Sequence, residues 1–171
     1  RAKKEALIAR GWQRVIRLAK HHTQFGKFVG DPAHGSTGSP RTGLGGSALI
    51  ITPVAGSDRD ALAALLVETV AANGSVGFMH PLALADARAF WEQALASAER
   101  GERVVLGAWR DDALVGTGTV VPVMAPSQPH RAELTKVMIA PSLRGQGIGE
   151  ALVGALEQVA RRGGLVAQLP R

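Results

Sequence analysis

Cysteine and tyrosine are both absent from the 171 residues. Without cysteine there are no disulfides and no thiolate metal sites, and the redox compartment stays open. Aromatic residues are scarce, at 4%. No apolar run approaches the ~18 residues of a membrane-crossing helix, so the sequence predicts no membrane span. The first residue is Arg1 rather than Met, as expected of a fragment or a processed form. What is present suits a folded protein. Hydrophobic residues make up 46%, enough for a core, and the length fits one domain plus some extra chain.

The net charge of +6 raises the question of a nucleic-acid partner. Its distribution argues against a basic globular domain. Residues 1–48 hold nine Lys/Arg against Glu5 and Asp31, a balance of +7. Residues 49–171 hold eleven Lys/Arg against twelve acids, a balance of −1. The excess belongs to the N-terminal stretch, and nucleic acid is not the expected partner of the domain that follows.

Three stretches are predicted. Residues 1–25 contain a basic amphipathic helix: Ile8, Trp12, Val15, Ile16 and Ala19 share one face, with Arg10, Arg14, Arg17 and Lys20 elsewhere. Such a helix suits an anionic membrane surface, a nucleic acid or the main domain. It has no secretory apolar centre. Residues 26–47 form a flexible, disordered linker rich in Gly, Ser, Thr and Pro, which buries too little to offset its ordering entropy. His21, His22 and His34 lack the partners of a metal site, and no metal is expected. Residues 48–171 form the folded domain.

Within that domain, Leu49–Val54 reads as a strand and 58–72 as a helix with Leu62, Leu65, Leu66, Thr69 and Val70 inward, stopped by Asn73-Gly74. A second helix covers Leu84–Arg100, with Ala87, Phe90, Trp91, Leu95 and Ala98 inward. Val104–Trp109 and Leu114–Val123 form a hairpin around Asp111-Asp112. Residues 130–139 are a strand, 140–149 a Gly-rich turn, 150–162 a helix, and 165–169 one further short strand.

The turn carries the most chemistry. Amides at a helix start lack helical partners, and the helix dipole adds positive potential there, so the turn can hold a phosphate. Arg144 adds a cation, and glycines at 145, 147 and 149 remove Cβ atoms that would block a ligand. The dinucleotide pattern G-x-G-x-x-G fails because Glu150 occupies its third glycine position, and no Gly-Lys-Ser or Gly-Lys-Thr supplies a P-loop. The pattern [Q/R]-x-x-G-x-[G/A] fits, with Arg144, Gly147 and Gly149 in register after Val137-Met138-Ile139-Ala140-Pro141.

This segment resembles the acetyl-coenzyme A pyrophosphate loop of the GNAT N-acetyltransferase superfamily. Ser75-Val76-Gly77-Phe78-Met79, Ala89-Phe90-Trp91 and His130–Met138 are similar to the tabtoxin-resistance group of that superfamily. The resemblance covers about residues 48–164. It implies an α/β (α+β) fold, a mixed sheet with flanking helices, and acetyl transfer from acetyl-coenzyme A to the primary amine of a small molecule, such as an amino-acid-like toxin or antibiotic. A cytoplasmic location goes with that role.

By the same resemblance, the main chain of Val137, Met138 and Ile139 would pair with pantetheine. The amides of Arg144, Gly145, Gln146, Gly147, Ile148, Gly149 and Glu150 would hold the pyrophosphate. Glu133 is the candidate general base; strict alternation puts 133, 135, 137 and 139 on one face, and partial burial there would raise its pKa. His130 is a weaker candidate at the strand's start. Phe78, Met79 and His80 would shape the acceptor pocket.

One departure stands out. Many members use a Tyr after the fifth strand as thiolate acid, and this chain has no Tyr. Eight residues follow Gly163, too few for the usual C-terminal strands and helix. The domain is therefore expected to be C-terminally incomplete, truncated or completed by a partner such as a second copy in a homodimer. An incomplete domain that binds coenzyme A without turnover is the alternative reading. A basic N-terminal segment serving a nucleic acid or membrane surface is another.

Overall fold

The computed structural model describes residues 10–17, 48–123 and 130–169. The proposed linker at 26–47, Ile8, Ala19 and the histidines at 21, 22 and 34 lie outside them.

Residues 10–17 form a helix, α1. Of the three destinations open to it, the described residues take the main domain. Trp12, Val15 and Ile16 are buried in the principal core cluster. The Trp12 indole Nε1 donates to the Gly101 carbonyl at 2.9 Å. A Cβ added at Gly11 would stand 3.0 Å from the Gly163 carbonyl oxygen, so backbone meets backbone there. The described part of the apolar face, Trp12, Val15 and Ile16, is thus spent inside the protein.

The domain proper runs β1 (Ile50–Pro53), α2 (Arg59–Ala71), α3 (Leu84–Glu99), β2 (Val104–Arg110), β3 (Ala113–Pro122), β4 (Arg131–Ile139), α4 (Ile148–Arg162) and β5 (Val166–Gln168). Helix α2 buries the expected stripe of Leu62, Leu65, Leu66, Thr69 and Val70. Helix α3 buries Ala87, Trp91 and Leu95, while Phe90 and Ala98 are half-buried. Asp111 and Asp112 both take positive φ, the left-handed pair that lets a two-residue turn match strand twist.

The five strands form one sheet in the order β1-β2-β3-β4-β5. The first three pairings are antiparallel and β4 with β5 is parallel, the return being made through α4. Two apolar clusters sandwich the sheet. Leu152, Leu156 and Val159 of α4 pack with Leu106, Val120 and Leu134. Leu62 and Leu66 of α2 and Trp91 of α3 pack with Val105 and Met138.

Strict alternation along β4 does not hold. Thr135 pairs with Thr119 and Met138 with Thr117, so Lys136 and Val137 together face the single residue Gly118. This is a β-bulge, and Lys136 bends the chain through φ 53°. The extra residue inverts the phase. Ala132 and Leu134 before the bulge join the α4 side, and so do Val137 and Ile139 after it. Met138 joins the α2/α3 side. Glu133 and Thr135 therefore do not share a face with Val137 and Ile139.

Candidate functional site

Where β4 ends, the chain turns to make α4. The Ala140 amide donates to the Val115 carbonyl at 2.9 Å, holding the strand end to β3. Pro141 begins a 3-10 turn to Leu143, and Arg144 leaves it extended. Gly145 and Gly147 both have φ 78°, a left-handed geometry that glycine adopts without strain. Gly147 is the N-cap of α4, and no side chain caps the helix. The first-turn amides of Ile148, Gly149 and Glu150 therefore have neither a helical carbonyl nor a side-chain oxygen to donate to.

The space before these amides is open. A Cβ built at Gly145 or Gly147 would meet nothing within 4 Å. Neither glycine is needed to make room for the protein itself; both are needed for their φ, and both leave the approach clear. Arg144, Gly145, Gln146, Gly147 and Glu150 are exposed around that approach. Ile148, buried in the core, anchors the helix start from beneath. Arg110 Nη1 donates to Gln146 Oε1 at 2.8 Å and ties the turn to the β2–β3 hairpin. The arrangement fits an anionic group of phosphate size, with aligned amides and Arg144 supplying positive potential.

The second element is the edge of β4. β5 pairs only with Arg131, Ala132 and Glu133. Among the described residues, no strand covers that edge from Leu134 to Ile139, so Val137, Met138 and Ile139 border an open margin that leads to the glycine turn. Glu133 lies at the other end of β4, six residues from Ile139 and roughly 20 Å away at ~3.3 Å per residue. Its side chain is 41% exposed and accepts from Arg131 Nη2 at 3.2 Å. The carboxylate is therefore charge-paired within its own strand. His130 is exposed, and its carbonyl accepts from the Val166 amide at 2.7 Å, which starts β5.

The α2–α3 connection forms a third group. Phe78 packs edge-on to Phe90, with ring centroids 5.1 Å apart. Met79 is 88% exposed, and His80 is exposed. Lys136 reaches from the bulge into this group. Its ammonium donates to the Val76 carbonyl. It also lies 4.8 Å from the Phe78 ring centroid. Burial pushes its pKa below the ordinary lysine value.

The structure thus gathers residues 137–150 into one continuous margin and places Phe78 beside the bulge. Met79 and His80 follow Phe78 as exposed residues, and His130 is exposed at the start of β4. Two residues escaped sequence reasoning. Arg110 carries no local signal, because its partner lies 36 residues away. Lys136 did carry one, a lysine amid an apolar strand, but its bulge depends on pairing with β3. A separate cavity of about 220 Å³, lined by residues such as Ile16, Leu95, Ala98 and Arg103, shares no residue with the turn. Among the described residues, no group of three or more His, Asp or Glu could hold a metal. No described helix is long and apolar enough to cross a membrane.

Solved structures share this architecture. The ribosomal-protein-alanine N-acetyltransferase of Brucella melitensis is 28% identical, with a TM-score of 0.54, over 66% of this chain and 67% of that one. The PaiA N-acetyltransferase of Thermoplasma acidophilum, solved in complex with coenzyme A, is 20% identical with a TM-score of 0.57, over 71% of this chain and 77% of that one. The structure of yncA from Salmonella typhimurium, solved with its cofactor acetyl-CoA, is 18% identical with a TM-score of 0.54, over 68% of this chain and 65% of that one. The family model described as acetyltransferase (GNAT) family matches residues 72–169, more than half of the chain. With a five-stranded mixed sheet, a glycine turn opening α4 and this match, the chain belongs to the acetyltransferase (GNAT) family.

Proposed function

We propose that this chain is an acetyl-coenzyme A-dependent N-acetyltransferase acting on the primary amine of a small molecule, of the kind the tabtoxin-resistance group modifies, and working in the cytoplasm. The observation that carries the reading is the uncapped start of α4, where Gly145 and Gly147 leave open space before unpartnered amides. The amides of Gly147, Ile148, Gly149 and Glu150 would bind the pyrophosphate, and Arg144 would offset its charge. The bare β4 margin at Val137–Ile139 would take the amide-bearing arm along the strand, as a further strand would pair.

Acetyl-coenzyme A supplies an activated acyl group on a thioester. The chain's own residues must then deprotonate the acceptor amine and hold the developing oxyanion. Glu133 is the proposed base, taking the amine proton through a water while Arg131 fixes the carboxylate. The new C–N bond forms as the C–S bond breaks, and the thiol leaves with a proton from solvent.

The test is thiol release from acetyl-coenzyme A with each of the twenty amino acids as acceptor, paired with calorimetric titration of coenzyme A. Micromolar binding that is lost in the Arg144→Ala, Gly147→Val double variant supports the reading. Absence of binding in the parent protein removes it.

A further inference from the structure

We propose that Lys136 is a positioning residue that latches the α2–α3 connection onto the bulge of β4, and so fixes the acceptor side of the site relative to the acyl-donor side. The proposal uses the acetyl-transfer reading for its consequence at the amine; the latch itself does not depend on it.

The first observation is conformational. Lys136 holds φ 53° inside a strand, a left-handed geometry that a Cβ disfavours. Glycine would serve the bulge at less cost, so a lysine there points to work done by its side chain. The second is the reach of that side chain. The ammonium donates to the Val76 carbonyl, 60 residues earlier in the chain. It also stands over two rings, 4.8 Å from the Phe78 centroid and 5.3 Å from that of Phe90. A carbonyl acceptor and two π faces thus converge on one half-buried cation.

The third observation comes from the other partner. Gly77 has φ 77°, and a Cβ built there would lie 3.1 Å from Lys136 Nζ. The connection therefore folds closely around the ammonium, and a side chain between Val76 and Phe78 would press on it. Among the described residues, no other hydrogen bond ties the backbone of residues 75–80 to the sheet, whereas Phe78 and Phe90 pack on each other and under the lysine. Burial lowers the pKa of Lys136, as expected of a half-buried cation held by a carbonyl dipole and π faces, with no ion pair to a carboxylate among the described residues.

The bulge gives the latch its functional sense. Val137, Met138 and Ile139 follow Lys136 directly and border the open margin of β4. The residue that bends this strand is also the residue that holds the Phe78 segment. Release of the side chain would free the Phe78 segment from its place beside that margin, and misplacement by an ångström at a reacting centre is costly to rate.

The experiment compares Lys136→Met, Lys136→Gly and Lys136→Arg with the parent protein. Backbone order parameters for Val76, Gly77 and Phe78 are measured without any ligand. In the Met and Gly variants they should fall from about 0.85 to below ~0.6, and Arg should restore them. Glycine accepts the bulge conformation, so that variant decides the matter if the Met protein does not fold. With the amino acid that the parent acetylates fastest, Lys136→Met should raise KM for the amine about tenfold. The dissociation constant for coenzyme A should stay within twofold. Unchanged order parameters in both Met and Gly variants overturn the latch. A loss of order with amine KM unchanged overturns its link to the acceptor. If the parent acetylates no amino acid, the acetyl-transfer reading has failed on its own, and the relaxation data alone decide the latch.

Discussion

Replacing Trp12 with Ala should destabilise the acetyltransferase domain by about 3–5 kcal/mol, the range for deleting a large buried aromatic side chain. The structure sets this magnitude. Trp12 is 6% exposed and lies in the main core cluster with Val15 and Ile16. Its indole N–H is bonded to the Gly101 carbonyl, which closes the turn between α3 and β2. That bond accounts for about 1 kcal/mol of the total. Its six-membered ring rests on Gly163, the C-cap of α4, where an added Cβ would be 2.8 Å from Cε3. One residue outside the family match therefore holds the ends of two helices inside it. For a domain with a net stability of 5–15 kcal/mol, the loss is a large share. The assay is urea unfolding followed by far-ultraviolet circular dichroism, with the slope m unchanged between variants. A double-mutant cycle sharpens it. Gly163→Ala alone should cost about 1–3 kcal/mol through the clash with Trp12. In the Trp12→Ala background most of that cost should vanish, giving a coupling of at least ~1 kcal/mol. A loss below about 1 kcal/mol for Trp12→Ala, or simple additivity in the cycle, would refute the claim that α1 is part of the folded unit.

Glu133→Gln should lower turnover by about a hundredfold or more, the usual scale for removing a general base, with coenzyme A affinity within twofold; equal turnover in both proteins takes Glu133 out of the chemistry. Arg110→Ala should weaken coenzyme A binding several-fold in calorimetry by releasing Gln146, with little change in thermal stability; unchanged affinity means the contact is incidental. Glu102, held at a pKa of about 2 by its bonds to Arg100 and Ser97, gives an acid-side signature. A carboxylate with a depressed folded pKa stabilises the fold above its unfolded value of ~4.3. That contribution disappears as pH falls through about 2. The stability difference between the parent and Glu102→Gln should therefore shrink over that window in acid titrations, and a constant difference would contradict it.

The elements most legible in the sequence were those whose signal is local. The stripe from Leu62 to Val70 follows helical spacing, and each of its residues is buried. The glycines at 145, 147 and 149, following Pro141 and Arg144, marked the turn, and left-handed φ at Gly145 and Gly147 explains why glycine stands there. What escaped was relational. A count along β4 cannot reveal that Lys136 and Val137 share one partner, because the bulge belongs to the pairing with Gly118 and not to β4 alone. The face of α1 was visible in Trp12, Val15 and Ile16, but its destination depended on Gly101 and Gly163, far along the chain. Arg110 met Gln146 only through the hairpin.

The phase inversion in β4 bears on how a deletion there would be tolerated. Loss of one residue at Lys136 would return the strand to a flat ladder, yet Ala132, Leu134, Val137, Met138 and Ile139 would all keep the sides they occupy now. Such an indel is nearly silent to the hydrophobic core and conspicuous only in curvature. The apolar core alone therefore does not account for the extra residue; what it adds is curvature and the reach of its side chain.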